Sequence, residues 1–190
     1  MRFRLLIFAA TASLLSAPPA RAAGSPPSGA PPSAVSPKLE PAALGSIERL
    51  HRSDGVYLAS QPSKDDLELA RESGIRTVVN LRKPAEIDWD EKTVVESLGM
   101  EYDNFGFKEP EELTDAILDG ARKVLSTEDR KPILLHCASA NRVGAVWLAH
   151  RALDDGVAYP EALTEAEIVG LKSAAFRERV KVYVDQHRAK

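Results

Sequence analysis

The sequence of 190 residues predicts an α/β fold in which a mostly parallel β-sheet is flanked by helices. Two observations support this prediction. From residue 46 onward, short apolar runs rich in β-branched residues alternate with longer amphipathic segments, as in proteins built from strand–helix–strand units. The run "ILLH" at residues 133–136 is apolar on both faces, which is typical of a strand in the middle of a parallel sheet.

The first elements have clear boundary signals. Two short strands surround the turn residues Asp54 and Gly55, which predicts a hairpin. A helix follows, because Ser63 is a good N-cap residue and Asp66 stands three residues later, as in a capping box. The β-branched run at residues 75–82 then predicts a buried strand.

The same alternation continues to the C-terminus. A short helix before Gly99 and a strand at residues 100–107 are followed by an amphipathic helix within residues 110–126. The apolar face of that helix is predicted to contain Leu113, Ile117, Ala121 and Val124. A strand over residues 131–137 and three further helices complete the predicted domain.

The N-terminal residues have the composition of segments outside a folded domain. Residues 1–22 combine a basic start, a short apolar run and an Ala-Arg-Ala cleavage sequence. They predict a secretory signal peptide that leaves no stable membrane anchor after cleavage. Residues 23–45 are rich in Pro, Ser, Ala and Gly and predict a disordered linker. The folded domain is expected over residues 46–188, in a protein that is periplasmic or secreted.

The charge balance argues against a nucleic-acid-binding protein. The whole sequence has a net charge of −3, and removal of the three arginines in residues 1–22 leaves 22 basic against 28 acidic residues, a net charge of −6. A chain without a basic excess lacks the surface that nucleic acid requires, so any bound anion must be held by a local site. The four histidines are scattered along the sequence, so no metal site and no cofactor is expected.

The stretch "HCASANR" at residues 136–142 contains the only cysteine, Cys137. In an exported protein cysteines usually form disulfides, so a single thiol is either buried and inert or reactive. Its position at the carboxyl end of a predicted central strand is where α/β proteins bind ligands.

The residues between Cys137 and Arg142 must turn the chain from a strand into a helix. Their N–H groups would then form an anion-binding nest at the helix N-terminus. Such a nest stabilises a thiolate on Cys137 and cradles a tetrahedral oxyanion, which Arg142 can hold through two parallel hydrogen bonds. The four predicted nest residues are Ala138, Ser139, Ala140 and Asn141.

This arrangement resembles the cysteine-dependent phosphatases of the protein tyrosine and dual-specificity class. The resemblance includes the "ASQP" and "VVNLR" stretches, covers about residues 47–155, and is closest to the bacterial beta-lactamase-hydrolase-like, protein-phosphatase-like domain. It implies a dual-specificity-phosphatase-like fold with additional C-terminal helices, a phosphorylated substrate and a phosphocysteine intermediate on Cys137. It also implies that His136 supports the loop from behind.

The resemblance further implies a general acid on a loop that follows an earlier strand. That acid would protonate the leaving oxygen of a phosphomonoester. Asp103 lies nearest to a strand end and is the first candidate. Glu109, Glu111 and Glu112 are the alternatives.

Three features depart from the phosphatase pattern. Only four residues separate Cys137 from Arg142, the loop contains no glycine, and Val143 stands where a Ser or Thr usually assists departure of the thiolate. A four-residue gap also occurs in rhodanese-type sulfurtransferases, whose cysteine carries a persulfide. The sequence therefore leaves three functions open: a phosphatase, a sulfurtransferase, and an inactive module that binds phosphate, sulfate or a phosphorylated ligand.

Overall fold

The computed structural model describes residues 38–188, which form a six-stranded sheet with helices on both faces. The order of the strands across the sheet is β1-β2-β3-β6-β4-β5. Strands β3, β6, β4 and β5 are parallel, and β1 and β2 are antiparallel additions at one edge. The strands are β1 Glu40–Pro41, β2 Leu50–Ser53, β3 Val56–Ala59, β4 Thr77–Asn80, β5 Glu101–Asn104 and β6 Ile133–His136. The predicted fold class is confirmed.

Six α-helices within residues 38–188 cover the sheet. They are α1 Lys64–Glu72, α2 Glu91–Ser97, α3 Asp115–Leu125, α4 Asn141–Leu153, α5 Tyr159–Val169 and α6 Ala174–Arg188. Successive strand residues point to opposite faces, so Leu134 packs in the core with α1 and α2, whereas Leu135 packs in the core with α3 to α6. Two apolar cores therefore hold the sheet from opposite sides.

Strand β6 lies in the middle of the parallel part, and all four of its residues are buried. Its last residue, His136, pairs with Ala59 of β3 and with Asn80 of β4. Cys137 follows directly, and α4 then passes through the larger core with eleven of its residues buried. The position of Cys137 at the carboxyl edge of the sheet therefore follows from the burial of the apolar strand before it and of the helix after it.

The local signals at the start of the domain are confirmed. Asp54 and Gly55 both have positive φ in the β2–β3 hairpin, as such a turn requires. Ser63 accepts a hydrogen bond from the Asp66 N–H, and the Asp66 carboxylate accepts one from the Ser63 N–H, which completes the capping box of α1.

The predicted apolar face of α3 is only partly right. The helix begins after Thr114, whose hydroxyl accepts from the Ile117 N–H, and Pro110–Glu112 form a separate 3-10 turn. The fully buried helix residues are Leu118, Ala121 and Leu125. Ala121 is therefore on the inward face as predicted, whereas Ile117 and Val124 are only partly buried and pack against the same core. Leu113 is buried but precedes the helix.

The N-terminal boundary of the domain also requires a correction. Strand β1 lies within the segment 23–45 that composition indicated as a disordered linker, and it pairs with β2. Leu39 and Leu44 pack against the two cores, so the folded part begins before residue 46. The predicted signal peptide and residues 23–37 of the linker lie outside the described residues. Within residues 38–188, no helix combines the length and the apolar character needed to span a membrane.

Candidate functional site

Residues 137–142, here called the cysteine loop, connect the central strand to the buried helix α4. Ala140 has a φ of +67°, a left-handed conformation that costs a non-glycine residue about 1–2 kcal/mol. Its methyl group is fully buried, and its carbonyl accepts the Gly144 N–H at 2.9 Å. Packing around Ala140 thus holds a conformation in which glycine would be expected.

The amides of the cysteine loop have no hydrogen-bond acceptor among the described residues. The loop residues Ala138 and Ser139 are exposed, and Asn141 and Arg142 belong to the first turn of α4, where N–H groups have no intrahelical acceptor. These N–H groups are therefore available to a ligand or to water. The carbonyl of Ala138 accepts the Gln61 N–H at 3.3 Å. A strand-to-helix turn with unpaired amides at a helix N-terminus is suited to binding an anion.

Cys137 and Arg142 are both buried at this loop. The thiol residue is 1% exposed and Arg142 is 7% exposed. Arg142 donates through Nη1 to the carbonyl oxygens of Leu81, at 3.1 Å, and Phe107. Two loops that follow neighbouring strands therefore contact the guanidinium group.

Glu86 supplies the counter-charge for Arg142. Its two carboxylate oxygens accept from Nη1 at 2.8 Å and from Nη2 at 3.0 Å. The hydrogen bonds from Arg142 lower the pKa of Glu86, although burial raises it. Burial lowers the pKa of Arg142, but Glu86 and Cys137 raise it to a greater extent. The pair therefore stays ionised at neutral pH.

This geometry leaves part of the guanidinium free. An arginine has five N–H donors, and Glu86 occupies the end formed by Nη1 and Nη2. The four hydrogen bonds found for Arg142 among the described residues start from Nη1 and Nη2, and Cys137 is a further partner of the group. None of these four bonds uses Nε–H or the Nη2–H that lies on the same side of the group. Arg142 can therefore still form the two parallel hydrogen bonds to an oxyanion that the sequence predicts.

A buried polar network supports the strand ends below the loop. Glu91, 3% exposed, accepts from Gln61 Nε2 at 2.8 Å, from the Tyr102 hydroxyl at 3.2 Å and from Asn80. His136 Nε2 lies 3.3 Å from the Glu91 carboxylate, but the alignment is that of an electrostatic contact and not of a hydrogen bond. Burial alone would raise the pKa of Glu91, but His136, Gln61 and Tyr102 lower it.

The structure brings most of the predicted site residues together. Cys137, Arg142 and the four nest residues form one loop, and His136 lies at the end of the strand beneath it. The supporting role of His136 and the anion-binding role of the loop remain predictions. Asn141 has an additional contact: its side-chain oxygen accepts the N–H groups of Lys172 at 2.7 Å and Ser173 at 3.1 Å.

Asp103 is the exception, and its predicted role as general acid requires a correction. Its carboxylate accepts from Arg130 and forms an ion pair with it. Arg130 also contacts Thr77 Oγ1, at the start of β4, so this pair is directed toward the amino ends of the strands. Cys137 lies beyond the carboxyl ends, and Asp103 is therefore not placed to donate a proton there.

Sequence reasoning missed Glu86 and Glu91. Glu91 is the first residue of α2, where an acidic residue is expected simply from the helix dipole. Glu86 lies in a short 3-10 turn with no periodic pattern. Asp90, by contrast, caps α2 by accepting the Thr93 N–H, as an acid at that position should.

Comparison with known proteins gives matches only among solved structures. No protein-family profile matches the chain, and no curated protein sequence matches it. P. aeruginosa TpbA, solved in complex with pTyr, superposes with a TM-score of 0.61 at 21% identity, covering 79% of this chain and 94% of that one. Tk-PTP in the active form superposes with a TM-score of 0.59 at 20% identity, covering 70% and 93%.

A third structure supports the same comparison. PTPMT1 in complex with PI(5)P superposes with a TM-score of 0.59 at 16% identity, covering 70% of this chain and 92% of that one. All three are cysteine-based phosphatases of the protein tyrosine and dual-specificity type. Similarity at these identities is evidence about architecture. The chain therefore has the fold of the protein tyrosine and dual-specificity phosphatases, as the sequence resemblance implied.

Proposed function

We propose that this protein is an exported cysteine-dependent phosphatase that hydrolyses a phosphomonoester through a phosphocysteine intermediate. One observation carries the proposal: a loop whose amides have no acceptor among the described residues follows the central strand, and Cys137 and the ion-paired Arg142 are buried at its two ends. The fold shared with cysteine-based phosphatases supports it.

The proposed reaction has two steps. The Cys137 thiolate attacks phosphorus, forming the S–P bond as the P–O bond to the alcohol breaks, and a general acid protonates the departing oxygen. Water then attacks phosphorus and gives a proton to the conjugate base of that acid, the S–P bond breaks, and inorganic phosphate leaves with the thiolate and the general acid restored. The loop amides and the free N–H donors of Arg142 stabilise the charge on the transferring group in both steps.

The first test is hydrolysis of para-nitrophenyl phosphate by the protein without residues 1–22. We expect turnover that is lost in Cys137→Ser, together with a radiolabelled phosphoprotein trapped by acid quench that the variant does not form. Thiocyanate formation from thiosulfate and cyanide, dependent on Cys137, would instead identify a sulfurtransferase. Phosphate binding in calorimetry without either activity would identify a binding module. The ion pair of Asp103 with Arg130 favours this alternative, because it removes the first candidate for the general acid.

The general acid is assigned to Glu109 in place of Asp103. The loop that follows β5 reaches the site, since the Phe107 carbonyl accepts from Arg142. Glu112 on this loop is ion-paired with Lys83, and this contact lowers the pKa of Glu112 to about 2, too low for a proton donor at neutral pH. Glu109 is exposed and stands two residues from Phe107.

Glu109→Gln should reduce kcat by about 10²–10⁴-fold for substrates with a poor leaving group, the usual contribution of a general acid. The effect should be much smaller for para-nitrophenyl phosphate, whose leaving group needs little protonation. Glu111→Gln, an equally exposed change on the same loop, is the matched control. An equal loss in both variants, or none in Glu109→Gln, would reject this assignment.

Export is tested separately. Residues 1–22 fused to a reporter enzyme that is active only outside the cytoplasm should give a signal in bacteria. Replacement of Arg2 and Arg4 by glutamate should abolish it, because the basic start of the segment would be removed.

A further inference from the structure

A small polar cavity borders the cysteine loop on the side that faces the α5–α6 connection. Its volume is about 240 Å³, below the range of about 300–1,000 Å³ that holds a whole small-molecule ligand. It is therefore large enough for one charged group of a ligand. The lining residues are Glu48, Arg49, Ser60, Ala138, Ser139, Asn141, Gly170 and Lys172.

The α5–α6 connection is held directly against the loop. Asn141, which begins α4, accepts the N–H groups of Lys172 and Ser173 through its side-chain oxygen. Gly170 approaches Ala140 so closely that an added Cβ would lie 3.1 Å from the Ala140 Cβ. The backbone of Lys172 is therefore held beside the cysteine loop, and its exposed side chain starts from this fixed point.

Two cations that line this cavity have no counter-ion within the part of the chain that the structure describes. Among residues 38–188, neither Arg49 nor Lys172 forms a side-chain ion pair or hydrogen bond, whereas arginines such as Arg122, Arg142 and Arg151 are tied to carboxylates. The one acid in the lining is Glu48, which is exposed. Two free positive charges beside an anion-binding loop provide a local attraction for a second negative group.

We propose that the substrate carries a second anionic group, held by Arg49 and Lys172 while its reacting phosphoryl group lies in the cysteine loop. This inference rests on the proposed function and specifies its substrate class. The class is a compact organic bisphosphate with its two phosphates on neighbouring carbons, because the cavity and the nest share the residues Ala138, Ser139 and Asn141. A monophosphate would leave the two cations unused.

The test compares ethylene glycol bisphosphate with ethylene glycol monophosphate. The bisphosphate should have the higher kcat/KM, and the ratio of the two values should fall roughly fivefold in Arg49→Met and in Lys172→Met, the scale of one partly exposed charge pair. Glu48→Gln should raise that ratio, because it removes the opposing charge. Lys123→Met, an exposed lysine on α3, is the matched control and should leave the ratio unchanged.

Ionic strength supplies an independent measurement. Salt screens exposed charges at a distance of about 8–10 Å near physiological concentration, so the preference for the bisphosphate should weaken as sodium chloride is raised. If the bisphosphate is preferred to the same extent in all variants, or is not preferred at all, Arg49 and Lys172 do not form a subsite for a second anionic group. A preference confined to a peptide with phosphotyrosine beside glutamate would overturn the assignment to a small molecule.

Calorimetry with Cys137→Ser separates this inference from the proposed function. If that variant binds ethylene glycol bisphosphate more tightly than the monophosphate, and Lys172→Met removes the difference, the subsite stands even where no phosphatase activity is found. If activity on para-nitrophenyl phosphate is present but the bisphosphate binds no more tightly than the monophosphate, the subsite fails and the phosphatase stands.

Discussion

At the scale of single residues, the contact between Arg142 and Glu86 determines which donors remain for a ligand. Glu86 occupies the end of the guanidinium group formed by Nη1 and Nη2 and does not use Nε–H. The carbonyl oxygens of Leu81 and Phe107 fix the same group from two loops. Arg142 is therefore oriented before any anion binds, which reduces the entropy lost on binding.

Replacement of Glu86 by Gln should disturb this orientation while keeping the shape of the side chain. The charge-assisted hydrogen bonds to Arg142 are worth about 1.5–3 kcal/mol, so kcat/KM for para-nitrophenyl phosphate should fall by about 10- to 100-fold. Steady-state kinetics measure this loss. Glu128→Gln, which neutralises an exposed partner of Lys131 far from the loop, should have no such effect, and equal activity in both variants would contradict the role of Glu86.

At the scale of elements, helix α4 depends on close contact with the α5–α6 connection. An added Cβ on Gly144 would lie 2.7 Å from the Ala166 carbonyl oxygen and 2.8 Å from the Leu171 Cβ. Ala166 belongs to α5, so the two helices approach each other at a position where only hydrogen fits. The same contact brings Gly170 and Lys172 to the cysteine loop.

Gly144→Ala tests this contact because two effects oppose each other. Helix propensity favours alanine by about 1 kcal/mol, whereas overpacking of a filled core costs about 1–3 kcal/mol. Because the opposing atom at Ala166 belongs to backbone, we expect crowding to prevail and the free energy of unfolding in urea to decrease. An increase in stability would show that α4 and α5 can separate at little cost.

Several elements could be predicted from the sequence because their signals are local. The hairpin at Asp54 and Gly55 and the cap formed by Ser63 and Asp66 each depend on residues within one turn of each other. The role of Asp103 could not be predicted in this way, because its partner Arg130 is 27 residues away. An ion pair formed only by tertiary structure leaves no periodic pattern.

Strand β1 escaped prediction for a related reason. It contains two residues, one of them a proline, and therefore has no alternation of apolar and polar positions. Its position follows from pairing with β2, which composition does not reveal. The cysteine loop could be predicted because its chemistry is carried by neighbouring residues, whereas Glu86 reaches Arg142 across 56 positions.

At the scale of the whole molecule, several carboxylates are more acidic in the folded protein than in the unfolded chain. Hydrogen bonds or ion pairs lower the pKa of Asp66, Glu86, Glu91 and Asp154. A lowered folded pKa means that the unfolded chain takes up protons first as the pH falls. The stability from these groups is therefore fully present above their unfolded pKa and is lost as the pH falls through the folded pKa.

Glu91→Gln isolates the contribution of one such group. The ordinary pKa of this carboxyl is 4.5. At pH 7 the free energy of unfolding of the variant, measured in urea, should be lower by about 1–3 kcal/mol, because the charge-assisted hydrogen bonds are weakened. The difference from the unsubstituted protein should narrow as the pH falls below 4.5. A difference that stays constant down to pH values near the folded pKa would show that the charge of Glu91 contributes nothing.

The brevity of strand β1 also affects how copies of this protein meet one another. An edge strand with unpaired N–H and C=O groups can pair with a strand of another molecule, which is a route to aggregation. One outer strand of the described sheet has two residues, and Pro41 has no N–H to offer; the other outer strand carries Glu101 and Asp103, which are bound to Arg130. Neither edge strand is both long and uncharged. At high concentration, two molecules therefore have little opportunity to pair their sheets edge to edge.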